Sequence, residues 1–112
     1  FLKSLKKYTN STIICETYYE IIKELLSIIV LLDGFKIIGE NAHKELVQSI
    51  SKYKEFGSRE ILLIDDLRIK RNKSSYEGEE FERAYLENNR YNFKQIILKL
   101  ENIINSKFEE IK

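Results

Sequence analysis

The 112-residue chain has the length of a single domain, and its 43% hydrophobic content is enough for a modest core. Its 19 Lys and Arg residues nearly balance 18 Asp and Glu residues, so a formal net charge of +1 provides no overall basic field for nucleic acid. One cysteine and one histidine, Cys15 and His43, exclude an internal disulfide and a His/Cys zinc cluster. We therefore expect neither a metal nor a cofactor.

The cellular location of the protein is predicted from its apolar segments and its cysteine content. The longest apolar block, residues 21–32, is too short and too charged to span a bilayer, and no secretory signal is visible. The sparing use of cysteine suits a reducing compartment. These features predict a soluble, cytoplasmic protein with no membrane partner. Because the chain opens on Phe1 rather than Met, we expect upstream residues to be missing.

The first half of the chain predicts helices. Apolar residues at helical spacing predict a helix over residues 1–8, and the cap-forming residues 9–12 predict its end. A long apolar stripe then predicts a central helix over about 12–33, with Gly34 at the position of a C′ glycine. Asn41 is a candidate cap for a further helix that runs to about residue 53.

The second half continues this pattern. Ser58 is predicted as a plain N-cap of the next helix, with Arg71 near the end of that helix and Tyr76 just beyond it. A last long helix is predicted over about 86–111. The chain has no proline, no long repeat and no alternating strand pattern. We predict one domain, residues 1–112, with an all-α up-and-down fold of four or five helices.

An arginine on an apolar helix face is the first candidate functional residue. At about 100° per residue, Arg71 falls between Ile64 and Leu67 on one face. One interpretation is structural, because a cation near a helix C-terminus suits the helix dipole and its long stem can pass over apolar surface. The other interpretation is that Arg71 faces a partner surface or the shared cleft of a dimer. Either of these would make a charged residue favourable on this apolar face.

A row of polar residues lies beside that face. Asp65, Arg68, Asn72 and Tyr76 fall within an arc of roughly 80° on a helix. Asp65 is interpreted as the salt-bridge partner that orients Arg68. It is not read as half of a metal pair with Asp66, because neighbouring residues point about 100° apart.

These residues resemble the HEPN family (higher eukaryote and prokaryote nucleotide-binding domains), in particular its compact prokaryotic stand-alone members. The resemblance covers nearly the whole chain. It rests on the tyrosine pair at 18 and 19, on the 34–44 connection that ends in His43 and Lys44, and above all on LRIKRNKSSYEG at 67–78. In the family, an Arg followed by a polar residue precedes a His by four to six residues. Here Arg71, Asn72 and Tyr76 match that motif, with Tyr in place of His.

The resemblance implies an HEPN-like helical fold and a homodimer, or a dimer with a related domain, that brings two motifs into one cleft. Many members are metal-independent endoribonucleases of toxin–antitoxin pairs, in which a small nucleotidyltransferase is the antitoxin partner. The resemblance thus implies that Arg71, Asn72 and Tyr76 are catalytic on an RNA substrate. The alternative is a non-catalytic nucleotide-binding or RNA-binding module that is also partnered by a nucleotidyltransferase.

The chemistry of the matching residues fits these roles unequally. Arg71 can stabilise charge on a phosphate through its fork of donors, and Arg68 and Lys73 are candidates for binding the RNA backbone. Tyr76 is a poor base at neutral pH, because a phenol pKa near 10 is about three and a half units above that of histidine. Arginines that converge in a dimer would lower this pKa. His43 is interpreted as a surface or capping residue.

Overall fold

The computed structural model describes residues 10–34 and 42–111, and it contains no strand among them. This confirms the predicted all-α class. The predicted helix over 1–8, the Asn41 cap and most of the 34–44 connection lie outside the described residues. The helices are α1 (Asn10–Leu32), α2 (Ala42–Gln48) with a following 3₁₀ helix (Ser49–Lys52), α3 (Ser58–Glu77) and α4 (Arg83–Ile111).

Helices α1 and α4 are parallel. Just before α4 begins, the backbone N–H of Phe81 donates a hydrogen bond of 2.9 Å to Thr12 Oγ1 near the start of α1. Near the end of α4, the Lys107 ammonium contacts Asp33, which directly follows α1. Since both helices begin at one end of the molecule and finish at the other, they run in the same direction.

Helix α3 runs against both of them. Late in α3, Ser74 contacts Glu16 in the first third of α1 at 3.2 Å. Lys99, far along α4, contacts Glu60 in the first turn of α3 at 2.8 Å. The order of the contacts along α3 is thus the reverse of the order along α1 and α4.

Helix α2 and its 3₁₀ extension follow the direction of α1. His43, at the start of α2, lies beside Tyr19 in the first half of α1, whereas Tyr53, just past the 3₁₀ helix, donates to Asp33 beyond the end of α1. The structure therefore differs from the predicted up-and-down order between α1 and α2, and it agrees with that order from α2 to α4. Hydrophobic spacing reports which face of a helix is buried but not in which direction the helix runs.

The core lies between α1, α3 and α4, with α2 and the 3₁₀ helix closing one side. Helix α1 contributes its whole inner face because it packs against the three other helices. The most completely buried large side chains come from every element. They are Tyr19, Ile22, Leu26, Ile29, Val47, Ile50, Ile64, Leu67, Phe93, Ile96 and Leu100. Among the described residues, no helix is both long and apolar enough to cross a membrane.

Three predicted helix ends differ from the structure. Gly57, rather than Ser58, is the N-cap of α3, and its backbone N–H donates to Glu60 Oε1 at 3.3 Å. Tyr76 lies inside α3, because nothing in the polar run 72–77 breaks the helix before Gly78 turns the backbone at a φ of 74°. Helix α4 begins at Arg83, three residues before the predicted start. The predicted C′ role of Gly34 is confirmed by its φ of 87°.

Candidate functional site

Arg71 points inward from α3 and meets α1. Its Nη2 donates to Glu20 Oε1 at 2.9 Å, and its guanidinium carbon lies 5.7 Å from the centroid of the Tyr19 ring. Only 23% of the side chain is exposed, and Nε is buried without a hydrogen-bond partner among the described residues. The charge on the apolar face thus has a partner within its own chain. The need for a partner surface therefore no longer argues for a dimer.

Glu20 connects two cations. While Oε1 accepts from Arg71, Oε2 lies 2.8 Å from Lys23 Nζ. The hydrogen bond from Lys23, together with the positive charges of Lys23 and Arg71, holds the Glu20 pKa below its usual range although burial opposes this. The Glu20 side chain is 41% exposed, so solvent reaches this carboxylate.

Arg68 lies one turn before Arg71 and forms the predicted ion pair. Its Nε donates to Asp65 Oδ1 at 2.8 Å. The Arg68 side chain is only 15% exposed, so Asp65 holds it in place along α3. The contact itself confirms the predicted orientation of Arg68 by Asp65.

His43 belongs to the same group of side chains. Its Nδ1 lies 3.1 Å from the Tyr19 hydroxyl. Burial, followed by the charges of Lys23 and Arg71, lowers the His43 pKa below its ordinary value, so the imidazole is neutral at pH 7. Burial raises the pKa of Tyr19 to about 12, so its hydroxyl keeps its proton. His43 is therefore partly buried beside Tyr19, which differs from the surface or capping role expected.

We call this group the Arg71 cluster. It joins three helices through one set of charged and polar side chains. Its members are Tyr19, Glu20 and Lys23 of α1, His43 of α2, and Asp65, Arg68 and Arg71 of α3. Sequence reasoning identified the α3 members and missed Glu20, Lys23 and His43. The signals available for His43 were that it is the chain's one imidazole and that it ends the 34–44 connection in the resemblance to HEPN domains.

The other predicted site residues lie elsewhere on α3. Tyr76 is 82% exposed and, five residues after Arg71 on a continuous helix, points about 140° away from it. Lys73 is exposed and about 160° from Arg71 by the same geometry. Asn72 is half-buried and shares its edge with Arg68. Within one chain, the structure therefore brings together Asp65, Arg68 and Arg71 but not the Arg-x4-Tyr pair.

Lys73 lines a separate cavity of about 230 Å³ near the start of α4. Lys70 shares this cavity, with its Nζ 5.0 Å from the centroid of the Tyr85 ring. The carboxylates of residues 79, 80 and 82 line the same space. They outnumber the two lysines, so this surface attracts a phosphate less than the Arg71 cluster does.

A second polar group joins the far ends of α1 and α4. Asp33 accepts a 2.6 Å hydrogen bond from the Tyr53 hydroxyl and contacts both Lys52, at 2.8 Å, and Lys107. Burial favours a higher Asp33 pKa, but the bonds from Lys107, Lys52 and Tyr53 outweigh it and hold the pKa far below its usual range. This group links three elements, and we assign it a structural role.

Within residues 10–34 and 42–111, no three His, Cys, Asp or Glu side chains are grouped so that they would hold a metal ion. Comparisons with protein-family models, with curated proteins and with solved structures give no match. The resemblance to HEPN domains therefore remains an expectation from the sequence. The fold and the site define an all-α helical protein with a partly buried cationic cluster.

Proposed function

We propose that the protein is a metal-independent endoribonuclease of the toxin–antitoxin type, with the Arg71 cluster as its phosphate-binding site. One observation carries the proposal. Arg71 and Arg68 of α3 lie in one partly exposed cluster with His43 of α2, so two guanidinium groups and a neutral imidazole are available together. A small nucleotidyltransferase is the proposed antitoxin partner.

This set of groups suits RNA cleavage without a metal. The 2′-hydroxyl attacks the adjacent phosphorus, the P–O5′ bond breaks, and a 2′,3′-cyclic phosphate and a 5′-hydroxyl result. The reaction needs a cation to stabilise charge on the phosphoryl oxygens and groups that move protons. Arg71 and Arg68 serve the first need. His43, neutral at pH 7, lies close to both arginines.

A homodimer is part of the proposal because Tyr76 cannot join Arg71 within one chain. The two residues point about 140° apart on α3, and the Tyr76 ring is 82% exposed. An exposed phenol on one copy is available to the Arg71 cluster of a second copy. If Tyr76 participates in cleavage, it therefore acts across a dimer interface.

The test is cleavage of mixed single-stranded RNA by purified protein in EDTA, analysed for cyclic-phosphate ends. We expect chelator-resistant cleavage by the wild type and a loss of about a hundredfold in Arg71→Ala, the usual cost of removing a charge-stabilising donor. Arg83→Ala is the matched control, because Arg83 forms an exposed pair with Glu87 outside the cluster. Equal activity of Arg71→Ala and Arg83→Ala would contradict the proposed role of Arg71.

The second candidate is a nucleotide-binding or RNA-binding module without catalysis. The separation of Tyr76 from Arg71 favours it, because a single chain then lacks the paired motif. This module would bind RNA in EDTA and leave it uncut, and Arg71→Ala would lose binding. End analysis of the RNA after long incubation separates the two candidates.

A further inference from the structure

We propose that the Glu20 carboxylate is an internal competitor at the Arg71 cluster, and that a phosphate group of RNA binds by displacing it. This inference deepens the proposed function and rests on its assignment of phosphate binding to the cluster. It assigns to Glu20 and Lys23 of α1 the control of access to Arg71. The ligand is one phosphate group of a single-stranded RNA.

The contacts of Glu20 are those that a phosphate would make. One carboxylate oxygen accepts from Arg71 Nη2 at 2.9 Å, and the other lies 2.8 Å from Lys23 Nζ. An arginine and a lysine on either side of two anionic oxygens form a binding arrangement for phosphate as well as for carboxylate. The internal carboxylate therefore occupies an anion site.

The occupant is displaceable. The Glu20 side chain is 41% exposed, and one contact with Arg71 and one with Lys23 hold it in place. A partly exposed ion pair contributes little to folding stability, so releasing Glu20 into solvent costs little. Arg71 is only 23% exposed and stays in place against the Tyr19 ring when its partner leaves.

The cluster has more donors than Glu20 uses. A guanidinium carries five N–H donors, whereas among the described residues Arg71 makes one hydrogen bond, to Glu20. A phosphate presents more acceptor oxygens than a carboxylate, so it can take up this unused capacity. The exchange replaces one anion by another with more hydrogen bonds.

His43 adds a further donor. Tyr19 is buried and its hydroxyl stays protonated, and among the described residues His43 Nδ1 is the acceptor available to it. With the Tyr19 hydroxyl as the donor to Nδ1, the neutral imidazole carries its proton on Nε2. Lys23, Arg68 and Arg71 provide positive charge around the ring, and Glu20 is the negative group that faces it. Displacing Glu20 leaves the positive charges of Lys23, Arg68 and Arg71 around the site, with Asp65 still paired to Arg68.

The experiment measures RNA binding apart from cleavage. A fluorescent, fully 2′-O-methylated oligonucleotide lacks the attacking hydroxyl, so its anisotropy in EDTA reports binding alone. We expect Glu20→Gln to bind about fivefold more tightly than the wild type, because a partly exposed pair of this kind is worth roughly 1 kcal/mol. Glu87→Gln is the control, since it removes the same charge from the exposed pair with Arg83.

Salt dependence provides a second measurement. Arg71→Ala should weaken binding and reduce the slope of log K against log salt concentration by about 0.7, the value for one lost phosphate contact on a single strand. Glu20→Asp keeps the charge but shortens the side chain by one methylene, and it should bind between the wild type and Glu20→Gln. This variant also serves if Glu20→Gln fails to fold in a thermal melt.

The outcomes distinguish this inference from the proposed function. Tighter binding by Glu20→Gln than by Glu87→Gln supports the competitor role, even if the wild type cuts no RNA. If folded Glu20→Gln and Glu20→Asp bind no more tightly than Glu87→Gln, the competitor role is overturned, even if the wild type is an active ribonuclease.

Discussion

At the scale of single residues, Tyr76 combines a central place in the proposed dimeric mechanism with very little packing. Its ring is 82% exposed in the penultimate position of α3. We predict that Tyr76→Ala changes the free energy of unfolding by less than about 0.5 kcal/mol, as is usual for exposed side chains. Urea denaturation provides the measurement. A loss of several kcal/mol would contradict the exposed place of Tyr76 in the single chain.

The hydroxyl of Tyr76 is tested separately. If it moves a proton in the proposed reaction, Tyr76→Phe should abolish cleavage and leave RNA binding and dimerisation intact. Tyr76→His should cleave at least as fast as the wild type, because an imidazole titrates near neutral pH. Cleavage assays in EDTA measure both variants. A folded, dimeric Tyr76→His that cuts nothing, beside an inactive wild type, would favour the non-catalytic binding module.

The lowered pKa of Asp33 leads to a prediction of how the free energy of unfolding depends on pH. Because Lys107, Lys52 and Tyr53 hold its folded-state pKa below the unfolded value despite burial, ionised Asp33 stabilises the folded state. This contribution is complete above an unfolded pKa of about 4 and is lost as the pH falls towards the lower folded pKa. Asp33→Asn should cost about 1–3 kcal/mol at pH 7 and less as the pH falls below about 4. Urea denaturation of the wild type and of Asp33→Asn across pH 2–7 tests this prediction. A difference in the free energy of unfolding that does not change with pH would contradict it.

Single residues differ in how far their surroundings could be predicted. The inward direction of Arg71 follows from its spacing to Ile64 and Leu67, which are both fully buried. Its partner Glu20 is 51 residues away, and helical spacing within α3 carries no information about which face of α1 lies opposite. The place of His43 beside Tyr19, 24 residues earlier, was unpredictable for the same reason.

At the scale of secondary-structure elements, α3 has a glycine at each end, and the two glycines can be compared by substitution. Gly78 closes the helix at a φ of 74°, whereas Gly57 caps its start at a φ of −86°. An added Cβ would meet no atom within 4 Å at either position. Gly78→Ala should therefore cost about 1 kcal/mol through backbone strain alone, and Gly57→Ala should change stability by less than about 0.5 kcal/mol. Thermal or urea denaturation compares the two, and equal effects would contradict the role of left-handed geometry at Gly78.

The existence of the long helices was more predictable than their ends. Apolar side chains recur along α1 and α4, so both helices were placed to within about three residues. The end of α3 was harder to place because residues 72–77 are all polar and give no periodic signal. Tyr76 was placed beyond the helix for this reason, although no residue before Gly78 breaks it.

At the scale of the whole molecule, assembly is the decisive property for the proposed mechanism. We predict a homodimer at tens of micromolar protein, a range chosen as roughly moderate affinity. The reason is geometric, because Tyr76 and Arg71 of one chain lie on different sides of α3. Light scattering coupled to size-exclusion chromatography measures the mass. A monomer at this concentration would contradict the paired-site mechanism and leave phosphate binding by a single Arg71 cluster untouched.

The class of the whole fold was predictable, but the direction of one element was not. The absence of proline and of strand patterns pointed to helices throughout. The shared direction of α1 and α2 is seen from the contacts between Tyr19 and His43 and between Asp33 and Tyr53. These contacts join separate helices, so no pattern within one helix reports them.

The parallel arrangement of α1 and α4 has a practical consequence for fusion proteins and immobilisation. Residue 10 lies at one end of the molecule and residue 111 at the other, separated along α4 by about 43 Å for 29 helical residues at 1.5 Å each. A tag joined directly to residue 10 would stand at the end where α3 finishes, near Tyr76. A tag joined after α4 would stand at the Asp33 end. Attachment to a sensor surface through residue 111 therefore holds the Asp33 end at that surface and keeps Tyr76 and the last turn of α3 away from it.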